Sequence, residues 1–462
     1  MAAATLAAGL ITNNCGTAFG DSGGAVTEEN DGLIRSSEFA IYDLQEVHDQ
    51  LMREFSRRPI TQIQLEELKK RLLEQLNIQR SLFEQAEKLN KTADDFFLKR
   101  RFPEAIKAYT QILELKNLAV KEPFLLKRGQ CYEEMGELDK AVDDYQSGLA
   151  EGDTYRAMFR LRLGKVFMRQ GLDDEALEQF SRSIDEEEGK FLSPFGARAD
   201  LYMKTRDFEK ALSDYTNAID NYIDYFKEKG VTLVGDKIDH SQTATLGFLY
   251  QDRSRAQTAL SKYEQAVADL ELAETYTLPA LRESVSIALA RAYEDAGQKE
   301  RAGEKRESVL KKHNEKIDTD PTARAFHDRG LVFLELDLPE RAASDFARAV
   351  NLKPEDPDNY YHLGQARIDM DDPGGAIEAL SKAINLSPSE SKYYYERGCC
   401  YLKSKKLDRA LEDAEKSIEL DKTRARYYQL RGTILDKLGR KKEARADHEK
   451  ASSMGSAEED LP

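Results

Sequence analysis

The sequence predicts an all-α protein built as a solenoid of stacked helical hairpins. Three observations predict it. An alanine recurs at Ala105, Ala141, Ala176, Ala211, Ala266, Ala302, Ala342, Ala376, Ala410 and Ala444, at intervals of 34–36 residues broken by one of 55 and one of 40. Twelve residues before each of these stands a small residue: Ala93, Gly129, Gly164, Ala199, Ser254, Ala290, Gly330, Gly364, Gly398 and Gly432. Charged residues make up 33% of the 462, with only 27 Gly and 12 Pro, which is a helical composition. Self-similarity at such a period marks an array in which each unit buries its apolar face on its neighbours.

The stretch 358–388 shows the unit most plainly. Gly364, Ala376 and Ala383 are small, Tyr360, Leu363, Ile377, Leu380 and Ile384 are bulky, and Pro388 closes the second helix. Helices approach to about 8–10 Å only where side chains are small, so the small residue of helix A is expected to face the alanine of helix B. A bulky residue three after the small one (Phe96, Tyr132, Phe167, Phe333) and another four after the alanine (Tyr109, Tyr145, Phe180, Phe346) are expected to fill the space between hairpins. Gly136, Gly171, Gly297 and Gly439 mark turns.

These paired registers resemble the tetratricopeptide repeat (TPR) family over roughly 86–455, about ten repeats, best at 323–356, 357–390, 391–424 and 425–458. The resemblance implies a right-handed α-solenoid of helix-turn-helix repeats whose concave groove, lined mainly by helix A, takes partner peptides or helices. A repeat array must cover its exposed apolar end, so a helical segment is expected to cap the N-terminal side.

In chain order, 1–39 lacks helical periodicity and reads as disordered. Its GDSGG (Gly20–Gly24) resembles the nucleophile motif of chymotrypsin-like proteases over five residues only, without the strand-rich barrels that would present a triad. Residues 40–85 read as the helical cap, with a coiled-coil-like partner surface as the alternative. Ile63, Leu65, Leu68, Leu72, Leu76 and Leu82 recur there at helical steps. Block 1 covers 86–228 with about four repeats, an insertion loop covers 229–246, and two divergent repeats cover 247–320. Block 2, with four regular repeats, covers 321–455, and 456–462 is an acidic tail read as disordered.

The family's groove positions, carried onto this chain, give Arg324, His327, Tyr361, Gln365, Lys392, Tyr395, Lys403, Arg426 and Lys437 in block 2, and Lys165 and Arg169 in block 1. Residues 391–450 hold 17 Lys and Arg against 11 Asp and Glu, while the whole chain has a net charge of −16. A basic groove carrying Tyr361 and Tyr395 suits acidic partner segments. Some family members grip the acidic tail of heat-shock chaperones with a carboxylate clamp of Lys, Asn, Asn, Lys and Arg. The matching positions here are Asn90, Asp94, Lys127, Met158 and Arg162, of which only Arg162 fits. In the set from 323 they are His327, Leu331, His362, Lys392 and Glu396, of which only Lys392 fits. A co-chaperone role is therefore the less favoured reading.

No phosphate loop, dinucleotide fingerprint or HExxH occurs, and the six His show no metal-ligand spacing. The expectation is no enzyme, no catalytic residue, no metal and no cofactor. The acidic balance argues against nucleic acid, and no apolar run is long enough for membrane insertion. Four Cys in 462 residues, with no basic stretch before the apolar N-terminus, point to the cytoplasm rather than secretion or the ER lumen, with a cilium or other cytoskeletal assembly as the alternative. The function read from the sequence is a protein–protein interaction scaffold or adaptor. The alternative is a constitutive subunit of a larger multi-subunit complex, ciliary, axonemal or transport.

Overall fold

The computed structural model describes residues 62–115, 118, 120–153, 155–186, 193–230, 233 and 240–454. The readings for 1–39, for 40–61 and for the tail 456–462 lie outside them. The chain divides into two compact units, Met1–Tyr225 and Phe226–Pro462.

Among the described residues there are helices and no strands. In order they are α1 (Gln62–Leu98), α2 (Phe102–Leu113), α3 (Glu122–Glu134), α4 (Leu138–Glu151), α5 (Arg156–Gln170), α6 (Asp173–Glu186), α7 (Ser193–Lys204), α8 (Phe208–Glu228), α9 (His240–Ala259) and α10 (Tyr263–Tyr276). Then follow α11 (Arg282–Asp295), α12 (Lys299–Thr319), α13 (Ala323–Glu335), α14 (Pro339–Leu352), α15 (Pro357–Asp369), α16 (Pro373–Leu386), α17 (Ser391–Lys403), α18 (Leu407–Leu420), α19 (Ala425–Lys437) and α20 (Lys441–Ser453). Odd and even helices pair as ten hairpins. Within each unit successive hairpins pack on one another, so each unit is an α-solenoid. The long intervals have visible causes: α8 runs on to Glu228, α9 begins only at His240 and has 20 residues where the first helices of the last four hairpins have 13, and α12 is 21 residues long where most second helices have 14.

The repeating alanines are fully buried at nine of the ten positions and 1% exposed at Ala444. A Cβ on Gly398 would come within 3.6 Å of the Ala410 carbonyl, but at four other helix-A glycines the nearest atoms belong to the side chain four residues after the alanine. A Cβ on Gly129 would strike the Tyr145 ring, on Gly164 the Phe180 ring at 2.5 Å, on Gly330 the Phe346 ring at 2.8 Å and on Gly364 Leu380 at 2.8 Å. The bulky residue four after the alanine therefore lies inside its own hairpin, on the glycine. It also reaches the next hairpin as expected, with the Tyr145 ring 6.2 Å from Phe159 and the Phe346 ring 5.5 Å from His362. Residues of both helices share the work of filling the space between hairpins: Leu125, Leu126, Tyr145, Phe159 and Leu163 form one cluster across two hairpins, and Val332, Phe333, Phe346, Leu363 and Ala366 another.

Every first helix ends the same way. The residue seven after the small position has φ between 56° and 78°: Gly at 136, 171, 297 and 439, but Arg100, Arg206, Ser261, Asp337, Asp371 and Lys405 in the other six hairpins. The next amide then donates back across the turn, as Leu338 N to Phe333 O at 2.9 Å and Lys406 N to Tyr401 O at 2.9 Å. This is a Schellman closure, which glycine enters without a Cβ penalty. A side chain in this region costs about 1–2 kcal/mol, and glycine loses roughly 0.5–1 kcal/mol more entropy on folding. Lys405→Gly is thus expected to stabilise the chain by about 0.5–1 kcal/mol. A urea midpoint that stays put or falls would show that the turn carries no strain.

Candidate functional site

The four regular hairpins of unit 2 repeat at 34 residues, so corresponding side chains can be followed from one helix A to the next. The fifth position of the repeat reads His327, Tyr361, Tyr395 and Gln429, and the third reads Ala325, Asn359, Tyr393 and Tyr427. The first three of these fifth-position side chains each meet the third-position side chain of the following hairpin. His327 Nδ1 lies 2.7 Å from Asn359 Oδ1. The Tyr361 and Tyr393 rings lie 5.1 Å apart, and Tyr395 and Tyr427 5.2 Å.

The second position adds a cation over the ladder. Lys392 Nζ stands 4.6 Å from the centre of the Tyr361 ring and 5.4 Å from that of Tyr393. One repeat later Arg426 Cζ stands 5.0 Å from Tyr395 and 5.6 Å from Tyr427. Cation–π contacts contribute about 0.5–1 kcal/mol at exposed sites and more when desolvated, so they hold these charges at fixed places on the face. At the equivalent place ahead of them is Asp358, which accepts from the Tyr393 hydroxyl at 3.1 Å.

A polar network surrounds the ladder. Gln365 Nε2 donates to the Tyr361 hydroxyl at 3.0 Å, and its Oε1 lies 2.9 Å from His362 Nδ1. The His362 ring is edge-on to His327 at 5.0 Å and stacked on Phe346 at 5.5 Å. Burial, followed by the neighbouring His327, pushes the His362 imidazole down to about 4. Burial pushes the Glu396 carboxyl up, against the opposing pull of Arg426 and with reinforcement from Asp369. The Tyr361 and Tyr395 hydroxyls are raised by burial and stay neutral.

The candidate residues thus sort by environment. His327, Tyr361 and Tyr395 are buried at 9%, 9% and 6% exposure, so they form the floor between hairpins. Lys392, Arg426 and Gln365 are half-buried and lie on that floor. Arg324 and Lys403 are exposed and ion-paired, to Asp328 at 2.6 Å and Asp371 at 2.6 Å. Lys437 is exposed. Lys165 and Arg169 belong to α5 in unit 1, where Arg169 Nη1 donates to the Glu133 carbonyl at 3.1 Å. Also in unit 1, Asp94 accepts from Lys127 at 2.8 Å and from the Tyr109 hydroxyl at 2.6 Å. Asn359, Tyr393 and Tyr427 were not singled out as groove-lining residues. The 34-residue recurrence of the third position was the available signal.

Comparison with known families agrees with this architecture. Tetratricopeptide repeat models match 90–156 and 126–189, 357–390 and 425–454, and 391–424. No curated protein sequence matches the chain. Among solved structures it is similar to MamA, at 27% identity over 34% of this chain and 93% of that one, with a TM-score of 0.32. It is similar to yeast Tom70, at 18% identity over 80% and 85%, with a TM-score of 0.39. It is also similar to a tetratricopeptide repeat protein from Parabacteroides merdae, at 16% over 68% and 98%, with a TM-score of 0.36. With ten hairpins in one register and matches in both units, the chain is a tetratricopeptide repeat protein.

Proposed function

We propose that this protein is a non-enzymatic interaction scaffold, and that α13, α15, α17 and α19 present the face that takes partner segments. The carrying observation is the pair of cations one repeat apart, Lys392 over Tyr361 and Arg426 over Tyr395. Aromatic floors and fixed cations are what a bound segment meets with least loss of side-chain entropy. The charge changes along the face. Asp358 and Asp369 belong to α15, whereas Lys392, Lys403, Arg426 and Lys437 belong to α17 and α19. Acidic residues of a partner accordingly belong at the α17–α19 end.

The test is a charge reversal. Lys392→Glu combined with Arg426→Glu is expected to weaken binding of fluorescein-labelled acidic peptides, drawn from a defined library, by tenfold or more. It should also flatten the salt dependence, because fewer charges are neutralised on binding. Equal affinity and an equal salt slope in both proteins would remove this face from the reading.

A further inference from the structure

Helix α20 returns the chain to the first turn of α19. Met454 at its end packs on the same apolar cluster as Ala425, Tyr427 and Tyr428. Around that point lie Lys422, Arg424 and Arg426, the first two exposed and the third half-buried. Asp421 is the one acidic residue in this short segment, and it accepts from Arg424 Nε at 3.4 Å. Helix α19 has no acidic residue in its first turn and no side-chain cap on its N-terminal amides, whereas Thr322 caps α13 and Asp356 caps α15. Its N-terminus therefore adds partial positive charge to the basic side chains. Lys392 stands on the neighbouring helix A.

The sequence continues past Met454 as Gly455–Ser456–Ala457–Glu458–Glu459–Asp460. Six residues reach about 20 Å when extended, enough to carry three carboxylates from the end of α20 onto the start of α19. We propose that Glu458, Glu459 and Asp460 dock in cis on the basic lip formed by Lys422, Arg424, Arg426 and Lys392. This rests on the reading that the α17–α19 end takes acidic segments. A short tether gives the segment an effective concentration on the order of 1 mM, so an acidic partner must outbid a resident competitor.

The chain has no Trp, so Leu461→Trp places a single indole beside the acidic residues. Its fluorescence anisotropy in the full chain is expected to fall when Glu458→Gln, Glu459→Gln and Asp460→Asn are added, and to fall likewise in 1 M NaCl. The same three changes in the otherwise native chain should raise affinity for fluorescein-labelled tetraglutamate at least threefold. The tail substitutions leave the folded hairpins untouched, so loss of fold does not confuse the outcome. Anisotropy indifferent to tail neutralisation overturns the proposal, even where tetraglutamate still binds the face. An intact tail response with no tetraglutamate binding supports tail docking and sinks the partner reading instead.

Discussion

Replacing Asp345 by alanine is expected to destabilise the α13–α14 hairpin by about 3 kcal/mol, and adding Arg329→Leu should return most of that loss. Arg329 Nε and Nη2 donate to the two Asp345 oxygens at 2.7 and 2.8 Å. The side chains are only 16% and 4% exposed. Removing the carboxylate leaves a largely buried guanidinium without its counter-charge, a change that costs about 3–5 kcal/mol in buried pairs. The low end applies because Arg329 Nη1 keeps its bond to Asn314 at 2.8 Å. Recovery follows from the chain's own alternative. In the α15–α16 hairpin the same two places hold Leu363 and Ala379, buried at 6% and 2%. Burial also raises the carboxyls of Asp144 and Asp413 in equivalent pairs despite their arginine partners, so desolvation outweighs the attraction there. Hydrogen exchange of α13 and α14 amides is the suitable measure, since a repeat array need not unfold in one step. A double variant as labile as Asp345→Ala would refute the exchange of an ion pair for apolar packing.

This pair recurs as Arg128–Asp144, Arg198–Asp214, Arg253–Asp269, Arg397–Asp413 and Arg431–Asp447, always sixteen residues apart. The arginine precedes the small residue and the aspartate follows the alanine by three, so the sequence displays it. It stayed hidden because acidic residues on amphipathic helices ordinarily form a solvated face. The small and alanine registers were legible because they repeat with little variation and obey one steric rule. What the glycine touches was not legible, since periodicity gives the face of a helix but not which neighbour fills the space. For the candidate site, the family's groove positions located Lys392, Arg426 and Gln365 on one face. They could not separate the buried floor, His327, Tyr361 and Tyr395, from the charges above it. That division depends on which side chain the following hairpin lays across each position, and Asn359, Tyr393 and Tyr427 decide it.

Acidification should weaken block 2 through His362. Its ring is packed between His327, Phe346 and Tyr361, with Asp358 favouring protonation and Lys392 opposing it. In the folded state the imidazole is pushed down to about 4 from 6.5. A depressed value means the fold prefers the neutral ring. Its contribution is therefore full above about pH 6.5 and is lost as pH falls through 4. The shift alone would correspond to about 3 kcal/mol, and solvent reaching the half-buried ring reduces this to about 2 kcal/mol. Other carboxylates titrate in the same window, so the measurement is a difference between proteins. Between pH 7 and pH 4 the wild-type chain should lose about 2 kcal/mol more in urea unfolding than His362→Gln, which has no proton to gain. Parallel curves for the two proteins would show that the ring does not resist protonation. At neutral pH an uncharged His362 adds no positive charge beside Asp358. The cations that distinguish one end of the face from the other are then those of α17 and α19.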